Sequence, residues 1–182
     1  MSSQCRLAAV GNLVLAALTI AACAPAIHVN SYVERGADLG HYRTYDFAPL
    51  ERVATGDPRL DANPMFTGRV QTTLEAQLAA KGYTRAVGKS DFRIHFHASV
   101  TQQIDVNDLD RQSGYCEAGA CKPFVYDAGT LLLDFVDTGT NRLIWRGWAE
   151  SSLDGVVDNQ AWMNQRIDEA VTKIVARLPH RS

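Results

Sequence analysis

Along residues 91–106, DFRIHFHASVTQQIDV, apolar and polar side chains alternate. Phe92, Ile94, Phe96, Ala98 and Val100 fall on one face, and Arg93, His95, His97, Ser99 and Thr101 on the other, the period of a half-buried strand. GTLLLDFVD and RLIWRGWAESSL are two more strand-like runs. The TGTN between them is a turn signal, so the pair is predicted to form a β-hairpin. Nearer the start, a short strand is predicted around residues 27–33 and another from Tyr42 to Phe47, closed by Pro49.

Elsewhere the period changes to that of a helix. Phe66, Val70, Leu74 and Leu78 recur every four residues behind Asn63-Pro64, a capping amide followed by a proline whose missing N–H costs nothing. Lys81 and Gly82 supply the stop, which predicts a helix over about 64–81. A second helix is predicted from about Asn159 to Leu178. There Met163, Ile167, Ala170, Val171, Ile174 and Leu178 make one apolar stripe. Arg166, Glu169, Lys173 and Arg177 lie off it, with Glu169 and Lys173 as a favourable i,i+4 pair. Residues 51–62 read as polar and irregular, and 107–123 as a polar loop containing glycine. Strand, strand, helix, three strands, helix is the pattern of an α+β fold: a mainly antiparallel sheet with both amphipathic helices on one face. The other face is left to water or a partner.

The first residues follow neither period. MSSQCRLAAVGNLVLAALTIAACAPA carries Arg6 as its only charge, then an apolar run over 7–22, shorter than the ~20 residues that span a bilayer. A basic head, a short apolar stretch and small residues at its end form a secretory signal. Ile20-Ala21-Ala22-Cys23 resembles the lipobox of bacterial lipoprotein precursors. That resemblance implies cleavage after residue 22, with residues 1–22 as signal peptide, and a diacylglyceryl thioether on Cys23. Residues 23–179 are then a single periplasmic domain anchored to the membrane through lipidated Cys23, and 180–182 a short tail. Two acyl chains suffice for stable anchoring, at about 0.8 kcal/mol per buried methylene. Ala24 in place of an aspartate favours the outer membrane.

Of the four cysteines, Cys5 leaves with the signal and Cys23 carries lipid. Cys116 and Cys121 remain, and in an oxidising compartment they read as a local disulfide. So short a closure contributes about 2 kcal/mol in the loop-entropy model. The chain has 18 Lys and Arg against 20 Asp and Glu, a formal charge of −2 that becomes −3 on loss of Arg6. No basic stripe for nucleic acid and no polybasic patch arises from that balance.

Candidate chemistry is sparse. His95 and His97 share a strand face, but zinc needs three or four protein ligands. His41 and Asp105 are the remote candidates for a third. DVNDLD at 105–110 misses the oxygen spacing of a calcium loop in either register. No serine lies in a nucleophile-elbow motif and no phosphate loop is present. Asp134 and Asp137, three apart on a strand, face opposite ways. Trp145 and Trp148 also fall on opposite faces, one for the core and one for the surface, where a tryptophan beside Arg146 suits a contact. The sequence therefore yields no catalytic, cofactor-binding or metal residues and implies no cofactor.

YRTYDFAP, LEAQLAAKGY, SDFRIHFHASV, GTLLLDFVDTGTNRLIWRGWAE and IDEAVTKIVARLP together resemble the bacterial lipoproteins grouped as domain of unknown function 4136, over nearly all of residues 26–179. The resemblance brings no catalytic or ligand residues. It implies a small α+β envelope protein that is an accessory module with a protein partner rather than an enzyme. The other readings are a binding module for a small amphiphile or lipid held between sheet and helices, and a metal-dependent hydrolase using His95 and His97.

Overall fold

The computed structural model describes residues 26–49, 54–61, 63–86, 88–104 and 125–179. The signal segment, Cys23, the 105–110 acidic run, the Cys116–Cys121 pair and the 180–182 tail lie outside the described residues. Six strands, β1 His28–Val33, β2 Thr44–Phe47, β3 Thr84–Arg85, β4 Phe92–Ile104, β5 Val125–Asp137 and β6 Leu143–Ser152, form one sheet in the order β1-β6-β5-β4-β2-β3. Among the described residues three α-helices accompany them: α1 Pro58–Asp61, α2 Pro64–Ala80 and α3 Gln160–Ala176.

The sheet is α+β and mostly antiparallel, as the alternating runs imply. β1 pairs with β6, β6 with β5 and β5 with β4, all antiparallel. β2 differs, pairing parallel to both β3 and β4. A helix separates β2 from those partners in the chain, and a crossover of that length returns a strand in the same direction.

The alternation of β4 meets its partners in register. Ile94 lies opposite Phe135, Phe96 opposite Leu133, Ala98 opposite Leu131 and Val100 opposite Gly129. Phe135, Leu133, Leu131 and Gly129 in turn face Trp145, Gly147, Ala149 and Ser151 of β6. On β4, β5 and β6 the inward positions are bulkiest at one end and small at the other. At one end Phe92 stacks on Phe135 with ring centroids 4.8 Å apart, Phe135 tilts onto Trp145 at 4.7 Å, and Tyr42 and Tyr83 meet Phe92 edge-on. At the other end stand alanine, valine, glycine and serine.

Both long helices cover this inner face. Val70, Leu74 and Leu78 of α2 and Met163, Ile167, Val171 and Ile174 of α3 are buried, the predicted stripes. Asn63 caps α2 by accepting the Met65 N–H (3.0 Å), and Asn159 caps α3 by accepting those of Ala161 and Trp162 (3.0 and 3.1 Å). The helices run parallel, side by side. Asn63 bonds Gln160 at 3.3 Å, the Thr73 hydroxyl donates to Asp168 at 2.7 Å, and Lys81 Nζ donates to the Leu178 carbonyl at 3.0 Å. Their N-termini therefore lie together at the small-residue end of the sheet.

Three local features depart from the sequence reading. Residues 58–61 form a helical turn where an irregular stretch is predicted, because Asp57 caps it by accepting the Arg59 N–H at 2.8 Å just ahead of Pro58. β3 is not foreseen. β5 begins at Val125, ahead of the predicted Gly129, because residues 125–128 pair with 101–104 of β4.

Candidate functional site

The size gradient leaves a space at its small end. Ala98 and Val100 of β4, Leu131 of β5 and Ala149 of β6 form a floor, and Met163 and Ala170 of α3 belong to the roof, enclosing a cavity of about 80 Å³ open on one side. Pockets that enclose an entire ligand run to about 300–1,000 Å³. An engineered apolar cavity of about 150 Å³ stays dry and takes up benzene. The space here fits part of a molecule, such as the end of an aliphatic chain.

Two glycines shape its walls. A β-carbon on Gly129 would lie 2.6 Å from the Leu153 side chain, so the absence of one lets Leu153 fold over the sheet end. Gly56 has φ +94°, and its added β-carbon would meet the Val100 carbonyl oxygen at 2.6 Å. This close approach lets the Thr55 carbonyl accept the Val100 N–H at 2.6 Å and seats Leu60 on the cavity.

The lining is apolar except chiefly around Arg166 and Ser151. Arg166 sits on the polar side of the α3 wheel by sequence, yet its side chain is only 11% exposed. Its Nη2 donates to Ser151 Oγ, and its Nη1 pairs with Glu169 at 3.3 Å. Glu169 is also bonded by Lys173 at 2.7 Å, the predicted i,i+4 pair. Those hydrogen bonds, Lys173 first, hold the Glu169 carboxyl below the usual range against the opposing effect of burial.

The residues singled out from sequence lie elsewhere. His95 and His97 are on the outer sheet face, opposite Asp134 and Leu132 respectively. Among the described residues no three His, Cys, Asp or Glu side chains converge as metal ligands. His41 is paired with Asp38 at 2.8 Å. Asp134 and Asp137 do separate jobs. Asp134 accepts both Nε and Nη2 of Arg146 at 2.6 Å, whereas Asp137 accepts the Thr140 N–H (2.6 Å), its hydroxyl (2.8 Å) and the Tyr42 hydroxyl (2.8 Å) in the hairpin turn. Trp145 is fully buried and Trp148 partly exposed beside Arg146, the split that alternation requires. The sequence reading allowed a site between sheet and helices but assigned no residues to it, and the cavity supplies them. Its signal was present in the falling side-chain volume from Phe92 to Val100 and from Phe135 to Gly129.

Solved structures share the fold at low identity. A PDZ domain protein from Parabacteroides distasonis is 14% identical over 87% of this chain with a TM-score of 0.55, and the chain spans only 37% of that protein. A PelC dodecamer from Paraburkholderia phytofirmans matches at 10% identity over 86% of this chain and 100% of that one, TM-score 0.49. A DUF4136 family protein from Bacteroides thetaiotaomicron is 12% identical over 86% of this chain and 97% of its own length, TM-score 0.51. At such identities the first and third of these establish the fold alone. No curated protein matches the sequence. The family described as domain of unknown function DUF4136 matches residues 29–180, with the paired strands, both long helices and the hairpin inside that span, and the chain belongs to it.

Proposed function

We propose that the protein is a lipid-anchored accessory module of the bacterial envelope, facing the periplasm and most consistent with the outer membrane, that works by binding rather than by catalysis. The lipobox-like Ile20-Ala21-Ala22-Cys23 supports the anchor. The observation that carries the binding reading is the apolar cavity between the sheet and α3, which takes the aliphatic part of a small amphiphile. Apolar surface transferred from water contributes about 25 cal/mol per Å², and the lining supplies little else that would hold a polar solute.

The test uses the mature chain and a fluorescent fatty acid, cis-parinaric acid. The probe is expected to bind saturably and weakly, because a space of this size covers only part of its chain. Ala170→Leu, which fills the cavity from α3, is expected to abolish binding while raising the melting temperature. Absence of binding by the wild-type chain, or equal binding by Ala170→Leu, refutes the amphiphile reading. A melting temperature that falls with Ala170→Leu shows that there was no room to fill. Palmitate labelling in cells, lost in Cys23→Ala, tests the anchor separately.

A further inference from the structure

One pole of the molecule gathers most of its exposed apolar side chains. Among the described residues the large exposed hydrophobics are Met65 (60%), Trp162 (56%), Ile104 (55%), Val125 (48%), Tyr32 and Val33. Met65 and Trp162 stand in the first turns of α2 and α3, whose N-termini are joined through Asn63 and Gln160. Ile104 and Val125 face each other at the tip of the β4–β5 ladder. That ladder continues four residue pairs past Val100 and Gly129, about 13 Å at strand rise. The cavity lies next to both groups along the chain: Phe66 and Met163 line it one residue on from Met65 and Trp162, and Val100 and Gly129 line it four residues short of the ladder tip.

The chain itself enters at the same pole. Ile27 lines the cavity, and β1 starts beside the last residues of β6. Cys23 precedes Ile27 by four residues, a reach of at most about 14 Å. An acyl anchor on Cys23 therefore holds this pole, and no other, against the bilayer.

We infer that this pole is a membrane-docking face: Met65, Trp162, Ile104 and Val125 enter the interfacial region of the bilayer, and the cavity opens towards the acyl chains. The inference rests on the anchor reading for its orientation, while the apolar surface stands independently of it. Tryptophan at such a level matches the interfacial preference of its ring. Charge adds no attraction to an anionic surface. Arg59 is matched by Asp57 and Asp158 at 2.6 and 2.5 Å, and the extension of β5 beside Val125 carries Asp127. The face suits a zwitterionic lipid surface and contact that persists in salt.

The experiment places a nitroxide at Met65→Cys, Trp162→Cys or Thr140→Cys in the full-length mature lipoprotein reconstituted into phosphatidylcholine vesicles. Thr140, in the β5–β6 turn, marks the opposite pole. Labels at 65 and 162 are expected to collide more with oxygen than with a nickel chelate, and the label at 140 the reverse. Equal aqueous access at all three, with the protein still held on vesicles, overturns the docking face. Unlipidated Cys23→Ser chain on the same vesicles is the second arm. It is expected to bind weakly, and about tenfold more weakly still with Met65→Ser/Trp162→Ser, but unchanged with Tyr32→Ser/Val33→Ser. Equal binding by the two double variants also overturns it. A chain lacking lipid on Cys23 in cells sinks the anchor, and this second arm still decides the face.

Discussion

At Gly147 the sheet and α3 meet with no space for a side chain. A β-carbon there would lie 2.3 Å from the Trp145 ring and 2.5 Å from Ile174 Cγ2, neither of which has room to retreat in a buried layer. Gly147→Ala is expected to cost about 1–3 kcal/mol, read as a lower urea midpoint. Titration at the hairpin end supplies a second residue-scale prediction. Hydrogen bonds from Thr140, with help from Tyr42, hold Asp137 below the usual carboxylate range, and backbone N–H groups of Thr44 and Arg43 do the same for Asp91. Both contributions are complete above the unfolded value near pH 4 and are lost as pH falls through the lower folded values. Burial, then the bond to Asp137, pushes Tyr42 up to about 12, and burial does the same for Tyr45. Their contribution is full below about pH 10 and is lost as pH rises towards 12. Melting temperature measured across pH should show both limbs, and Asp137→Asn should make the acid one shallower while leaving the part due to Asp91. The roles of Trp145 and Trp148 were legible because alternation assigns faces without coordinates. That of Arg166 was not, since a helical wheel cannot tell a solvated flank from one pressed against Ser151.

The long elements were readable because each has a period and a marked start. Asn63 caps the helix that it was predicted to cap, Asn159 stands at the start predicted for the other and caps it, and the stripes behind them are buried. The small elements escaped because their causes are distant. β3 is two residues long and exists by pairing with β2, while the first residues of β5 are strand because β4 continues beside them. The caps carry a prediction at this scale. Asn159 accepts two backbone N–H groups at the turn that roofs the cavity, so Asn159→Ala is expected to cost about 1 kcal/mol. Faster hydrogen exchange confined to residues 160–164 would locate the loss in the first turn, and unchanged exchange there would deny the cap its role.

For the whole molecule, the class of fold followed from local pattern, whereas strand direction did not. Nothing in TYDF says that β2 will run parallel to β4; the crossover through α2 decides it. The gradient from aromatic to small inward residues divides the layer into a tightly packed pole and a hollow one. Each pole was written in the sequence, but their alignment needed the register of three strands at once. β1 adds a mechanical consequence. It is an edge strand, bonded along its six residues to β6 alone, and it is the first strand among the described residues. Under the proposed anchor at Cys23, a pull on the domain would travel along the axis of β1, at right angles to its rungs. The rungs then resist as a set instead of parting one by one, and the strand that would peel most easily sideways becomes the clasp that bears the load.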